Sequence, residues 1–139
     1  MNTPPMPALP CTLLEAMARQ EGFYSDGLTP DRPQANNNPL DLIYCNESAS
    51  YGATGSDNRF ARFPDVATGW DAARRWLSVP AKFSAGGDLV GGYCGATLQQ
   101  VIFRFAPPNE NQTSQYLANV CAWTGFTPQT VIDQAILSA

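Results

Sequence analysis

The sequence predicts a mainly helical α+β domain with a small β or irregular lobe inserted after its first helix. Three observations predict it. Apolar residues recur at helical spacing in five stretches bounded by capping residues, Gly or Pro. A polar stretch from Tyr24 to Arg59, rich in Asn, Pro, Gly, Asp and Ser, breaks that pattern after the first helix. It ends in Arg59–Phe63 (RFARF), whose alternation is that of a short strand in a small hairpin.

Residues 1–10 (MNTPPMPALP) form a Pro-stiffened lead-in without the basic and long apolar regions of a signal peptide. Residues 11–139 then make one domain. Cys11–Gly22 (CTLLEAMARQEG) predicts a helix with Leu14, Met17 and Ala18 on one face. The next position on that face is Glu21. A carboxylate on a buried face resists ionisation, and so holds a proton it can donate near neutral pH. The plainer alternative is that Glu21 ends the helix before Gly22 with its head in water. Glu15 points elsewhere and sits four residues before Arg19, the spacing of a solvated ion pair.

After the polar stretch, Pro64 and Asp65 open the helix VATGWDAARRWL, with Val66, Trp70, Ala73 and Leu77 on one face. Ala85–Gly95 (AGGDLVGGYCG) lacks the Gly-Lys-Ser/Thr ending of a phosphate loop and reads as a flexible connection. Thr97 and Gln100 form a capping box for a helix to Phe105, with Leu98, Val101, Ile102 and Phe105 inward. Ser114–Trp123 follows as its antiparallel partner, offering Leu117, Val120, Cys121 and Thr124, with the turn near 108–110 in APPNENQT. A last helix is expected from Thr127 as cap and Pro128 at its first position, burying Val131, Ile132, Ala135 and Ile136.

Composition narrows the partners. A chain of 139 residues with 44% hydrophobic content and fifteen aromatics builds a core and is not disordered. A net charge of −4 with eight Lys and Arg argues against nucleic acid. No stretch approaches the roughly 18–20 apolar residues that span a bilayer. Residues 94 and 121 are nearly equidistant from the helical turn, so Cys94–Cys121 is the natural disulfide and Cys11–Cys45 the second. Two bridges imply an oxidising compartment; the alternative is four buried thiols. No CxxC pair marks a structural zinc.

There is no histidine, which removes Ser-His-Asp and Cys-His catalysis and the usual zinc and copper sites. The acids lack the spacing of a calcium loop, and no cofactor is expected. Carboxylate acid–base chemistry is the enzymatic route left, and glycoside cleavage needs little more than one protonated acid with a second carboxylate, a water or a substrate group. Asn36, Asn37 and Asn38 form an amide cluster able to hold sugar hydroxyls or, equally, to satisfy their own turn. Asn109, Glu110 and Asn111 offer the same at the helical turn, where Asn111 also suits a capping role. Tyr51, Tyr93 and Tyr116 are candidates for stacking on or bonding to a ligand, and Trp70, Trp76 and Trp123 are assigned to packing. Asn46-Glu47-Ser48 and Asn111-Gln112-Thr113 match the N-glycosylation pattern, which matters only in a eukaryotic secretory setting.

Four blocks in order, ARQEGFY, NNNPLDL, GATGSDNRFARFPDVATGW and RFAPPNENQTSQYLANVCAWTG, resemble a group of phage and bacterial lysozyme-like proteins. These are peptidoglycan-degrading domains related to goose-type lysozymes and lytic transglycosylases, and the similarity runs from about Ala16 to Thr127. The resemblance implies a lysozyme-like helical fold with a small β lobe and a glycan-binding cleft between them. It implies Glu21 as catalytic acid, Asn37 and Asn38 lining the cleft, and Tyr116 facing the acid. Two positions depart from the pattern: Leu40 follows Pro39 where Gly is common, and Gly22 follows Glu21 where transglycosylases carry Ser. No motif marks a second carboxylate; Asp57 is the first choice and Asp41 the next.

The function expected is a monomeric, secreted or virion-associated muramidase that cleaves the MurNAc–GlcNAc bond of peptidoglycan strands. The alternatives are a lytic transglycosylase, a chitinase, or a non-catalytic wall-binding or virion structural domain. The acidic balance runs against this function, since steering to anionic walls is poor at low salt; it implies tethering by a partner domain or an acidic working pH.

Overall fold

The computed structural model describes residues 4–25, 31–109 and 111–139. Among these the chain forms α1 (Leu13–Gln20), α2 (Arg32–Ala35), α3 (Asn46–Ser50), β1 (Gly55–Asp57), β2 (Phe60–Arg62) and α4 (Val66–Ser78). There follow β3 (Lys82–Phe83), β4 (Leu89–Gly91), α5 (Leu98–Phe105), α6 (Thr113–Thr124) and α7 (Gln134–Leu137). This is the mixed helix and small-sheet composition that the sequence predicts. The chain divides into two compact units: one holds Met17–Trp76 with the lead-in up to Ala8, the other holds Leu9–Ala16 and Leu77–Ala139. No described helix is long and apolar enough to cross a membrane.

Helix α1 forms as its pattern demands, with Leu14, Met17 and Ala18 buried. Its start is a reciprocal cap. Thr12 N–H donates to Glu15 Oε1 at 3.0 Å, and Glu15 N–H donates to Thr12 Oγ1 at 3.2 Å. The Glu15 carboxylate thus reaches the helix start, where the orphan N–H groups are.

In the first unit, the polar stretch after α1 is broken by two short helices that carry no apolar periodicity. Asp31 and Pro33 open α2, and Cys45 opens α3 with its N–H donating to Ser48 Oγ at 2.9 Å. The RFARF segment supplies β2, paired antiparallel to β1 in the register Gly55↔Arg62, Ser56↔Ala61, Asp57↔Phe60. Asn58 takes the left-handed φ of 59° that the tight turn requires. On the other edge of β2, Tyr44 N–H donates to Arg59 O and Ala61 N–H to Leu42 O, both at 2.8 Å. Helix α4 buries Gly69, Ala72, Ala73 and Leu77, while Val66, expected on the same face, is 42% exposed in the first turn. Trp70 packs edge-to-face on Phe23 with ring centroids 5.4 Å apart.

In the second unit, the glycine-rich segment is a hairpin and not a flexible connection. β3 and β4 pair around Gly87, whose φ of 87° closes the turn. The run is too short, and too interrupted by glycine, for its alternation to register in sequence. The capping box of α5 forms as expected, and Leu98, Val101 and Ile102 are fully buried against α6. Helix α6 buries Leu117, Val120 and Thr124 and ends at Gly125 with φ 80°. The C-terminal segment differs. Thr127–Thr130 is a turn, because Leu98 N–H bonds Thr130 O at 2.8 Å and Ile132 N–H bonds Ala96 O at 2.9 Å, holding the chain extended. Val131 is therefore exposed, and α7 starts later, capped by Asp133, with Leu137 as its buried residue.

The thiols of Cys45, Cys94 and Cys121 are free, and neither the Cys11–Cys45 nor the Cys94–Cys121 bridge is formed. The equidistance argument requires residue 94 to extend the α5 axis. Instead Cys94 lies in a bridge to Pro80, before α5 begins, with its carbonyl accepting from Ala81 N–H at 2.9 Å. Burial pushes the Cys121 thiol pKa up, so it stays protonated.

Asp65 caps α4, accepting from Thr68 N–H at 2.8 Å and from Thr68 Oγ1 at 2.7 Å. These bonds hold the Asp65 carboxyl below its ordinary pKa. A depressed acid contributes stability above its unfolded pKa and loses it as pH falls through the folded value. Asn at this position still caps but does not titrate. The melting-temperature advantage of wild type over Asp65→Asn is thus expected to shrink below about pH 4, measured by thermal denaturation from pH 7 to 2.5. A difference independent of pH contradicts the assignment.

Candidate active site

The residues singled out in sequence fall into both units. Glu21, Asn37, Asn38, Asp41, Tyr51 and Asp57 belong to the first, and Tyr93, Asn111 and Tyr116 to the second. In the first unit the three candidate carboxylates share an arginine that sequence reading did not single out.

Glu21 is held at the end of α1 by a closed C-terminal motif. Its N–H completes the last helical turn to Met17 O at 3.0 Å. Gly22 then takes φ 94°, its N–H reaching Arg19 O at 3.2 Å, and Phe23 N–H reaches back to Ala18 O at 3.0 Å. This is a Schellman closure, in which the left-handed residue after the cap is most readily glycine. The closure explains why Gly follows the acid here, and it leaves Glu21 half-buried. The turn is tied sideways to α2. The buried Gln34 amide donates to Phe23 O at 2.6 Å, and a Cβ on Gly22 would stand 3.0 Å from Asp31 Oδ2.

Arg32, the first residue of α2, reaches Asp41 through Nε at 3.0 and 2.9 Å to the two carboxylate oxygens. Asp41 adopts a left-handed φ of 54°, which turns its side chain to a position only 6% exposed. The guanidinium also lies 3.5 Å from the Phe60 ring centroid, a cation–π contact. Its pKa is raised above the usual arginine value, first by the Asp41 hydrogen bonds, against an opposing effect of burial, and then by the fields of Asp41, Asp57 and Glu21. Glu21 and both candidate second carboxylates therefore act on one permanent cation. Asp41 is committed to that cation by hydrogen bonds. Asp57, at the end of β1, is 45% exposed and 3.8 Å from Arg62.

The asparagine block is the frame of this arrangement. Asn38 is fully buried, and its amide N–H groups donate to Leu42 O at 3.0 Å and Ala61 O at 2.9 Å. Its Oδ1 accepts from Leu42 N–H at 2.9 Å. Asn37, at φ 52°, donates through Nδ2 to Phe63 O at 3.1 Å, while Phe63 N–H donates to Asn36 O at 2.9 Å. The donors of Asn38 are thus filled by protein carbonyls, so its part is to hold the loop. Asn36 is buried too, and its Nδ2 has no hydrogen-bond partner among the described residues.

Tyr51 donates to Glu47 Oε2 at 3.0 Å, and its phenol pKa is raised by burial first and by Glu47 next. Arg75 lies 5.9 Å from its ring. In the second unit Tyr93 and Tyr116 are buried, and Tyr93 packs edge-on against Phe105. Asn111 is exposed and donates to Pro107 O at 3.3 Å, capping its own turn. Glu110 lies outside the described residues. The one sequence signal for Arg32 is its setting in Asp31-Arg32-Pro33, an N-cap and an early helical proline that fix where the guanidinium starts.

No protein-family model and no curated protein matches this chain.

Replacing Asn38 with Ala removes the bonds to Leu42 N–H and Ala61 O and leaves Leu42 O with its backbone bond from Ala61 N–H alone. The expected loss is about 2–4 kcal/mol of unfolding free energy in a denaturant titration. Asn38→Asp, nearly identical in shape, is expected to fare no better, because it turns an acceptor toward the carbonyls of Leu42 and Ala61. A loss below about 0.5 kcal/mol for both variants contradicts the framing role.

Proposed function

We propose that this chain is a peptidoglycan-cleaving glycosidase in which Glu21 is the general acid. The supporting observation is the convergence on Arg32. A half-buried glutamate, fixed by backbone closure at a helix end, shares one electrostatic neighbourhood with Asp41 and Asp57. The sequence offers no histidine, so a carboxylate is the side chain left for proton transfer to a glycosidic oxygen. The ordered resemblance to lysozyme-like domains points to the same residue.

In this reading Glu21 protonates the oxygen linking MurNAc to GlcNAc, and oxocarbenium-like charge builds on the departing sugar. Asp57 is the carboxylate available to stabilise that charge or activate water, since Asp41 is bound to Arg32. Water attack gives a reducing end and a muramidase. Attack by the muramoyl C6 hydroxyl gives a 1,6-anhydro end, with Glu21 then acting as base.

The test is clearance of cell-wall suspensions by wild type and Glu21→Gln. The variant is expected to lose activity by about 10²- to 10⁴-fold while keeping its melting temperature within a few degrees. Lysis that survives the substitution removes Glu21 from the mechanism, and binding without lysis by wild type removes the enzyme. Mass spectrometry of released fragments assigns reducing or anhydro ends. Because the acid must be protonated, activity is expected to peak below pH 7, and an optimum well above 7 contradicts its role.

A further inference from the structure

Helix α4 carries a glycine in its second turn, where alanine is a better helix former. The space explains the choice. A Cβ on Gly69 would lie 1.8 Å from the carbonyl oxygen of Asn37, 2.9 Å from its carbon and 3.0 Å from Pro39 Cδ. The backbone of the asparagine block therefore rests directly on the helix. Asn37 holds the left-handed φ of 52° that sends its carbonyl there. Four residues on, Asp41 takes its own left-handed turn and meets Arg32. Asp41 N–H is bonded to Asn38 O at 3.0 Å, so a shift of the block is transmitted to the carboxylate.

We propose that Gly69 is a positioning residue: the bare Cα seats the Asn37 carbonyl on α4, and that seat sets where Asp41 holds Arg32. The catalytic part of this proposal rests on the glycosidase reading above. The positional part does not.

Gly69→Ala separates two opposed effects. Helix propensity alone makes the variant more stable than wild type; a displaced carbonyl makes it less stable. The expected result is a folded protein by circular dichroism, with a lowered melting temperature and a shifted Arg32 Nε–H resonance. On cell-wall substrate, kcat is expected to fall by about 100-fold with KM changed no more than about 2-fold, because the misplacement affects the reacting geometry more than sugar binding. Ala67→Gly, a solvent-facing position of α4, is the control. It weakens the helix and leaves kcat and the Arg32 resonance unchanged. In wild type, NOEs between the Gly69 Hα and Pro39 Hδ protons report the seat directly.

Three results overturn the proposal: a Gly69→Ala protein more stable than wild type with an unmoved Arg32 resonance, a variant that does not fold (which assigns the contact to the whole fold), or absence of the wild-type NOEs. A wild type without lytic activity counts against the glycosidase reading alone; the NOEs and the Arg32 resonance still decide the seat.

Discussion

The side-chain amide of Asn38 is the interaction on which the first unit depends. It sits at zero exposure and extends the single backbone bond between Ala61 N–H and Leu42 O, joining Leu42 and Ala61 through three further bonds of 2.9–3.0 Å. Segments 36–42 and 60–63 are far apart in sequence and share no long ladder. Without an amide offering two donors and an acceptor in one plane, Ala61 O and Leu42 N–H lose their partner, and Leu42 O keeps only its bond from Ala61 N–H. A hydroxyl is too short in bonding capacity, and a carboxylate has the wrong polarity on one side.

What that frame holds is electrostatic. The loop delivers Asp41, Asp41 fixes Arg32, and the guanidinium lies on Phe60 of β2. The same short helix that starts at Arg32 reaches the Glu21 turn through the Gln34 amide. Asp41 and Arg32 are thus fixed to each other by hydrogen bonds, and the backbone of Glu21 is fixed by the closure of the α1 end.

Much of the helical frame was legible because it repeats. The buried faces of α1 and α5, most of α4 and the capping box at Thr97 follow from spacing alone, as does the strand in RFARF. The misses are instructive. α2 and α3 are too short to show a period, and β3–β4 hides among glycines. The C-terminal helix was placed too early because Thr127-Pro128 imitates a helix start, while tertiary pairing of Thr130 and Ile132 decides the backbone. In the candidate site, Glu21 stood out as an acid in an apolar stripe. Arg32 did not, since its partner lies nine residues away and meets it only through a left-handed Asp41. Asn38 was visible as an amide, but sequence leaves open whether an amide faces a ligand or its own chain.

The most direct test is a carboxyl-carbon NMR titration of Glu21 in wild type, set against the pH dependence of kcat/KM on a soluble peptidoglycan fragment. A proton donor at this position predicts that the falling limb of the rate follows deprotonation of Glu21, at the same midpoint. A rate that persists at pH values where Glu21 is fully ionised contradicts the account.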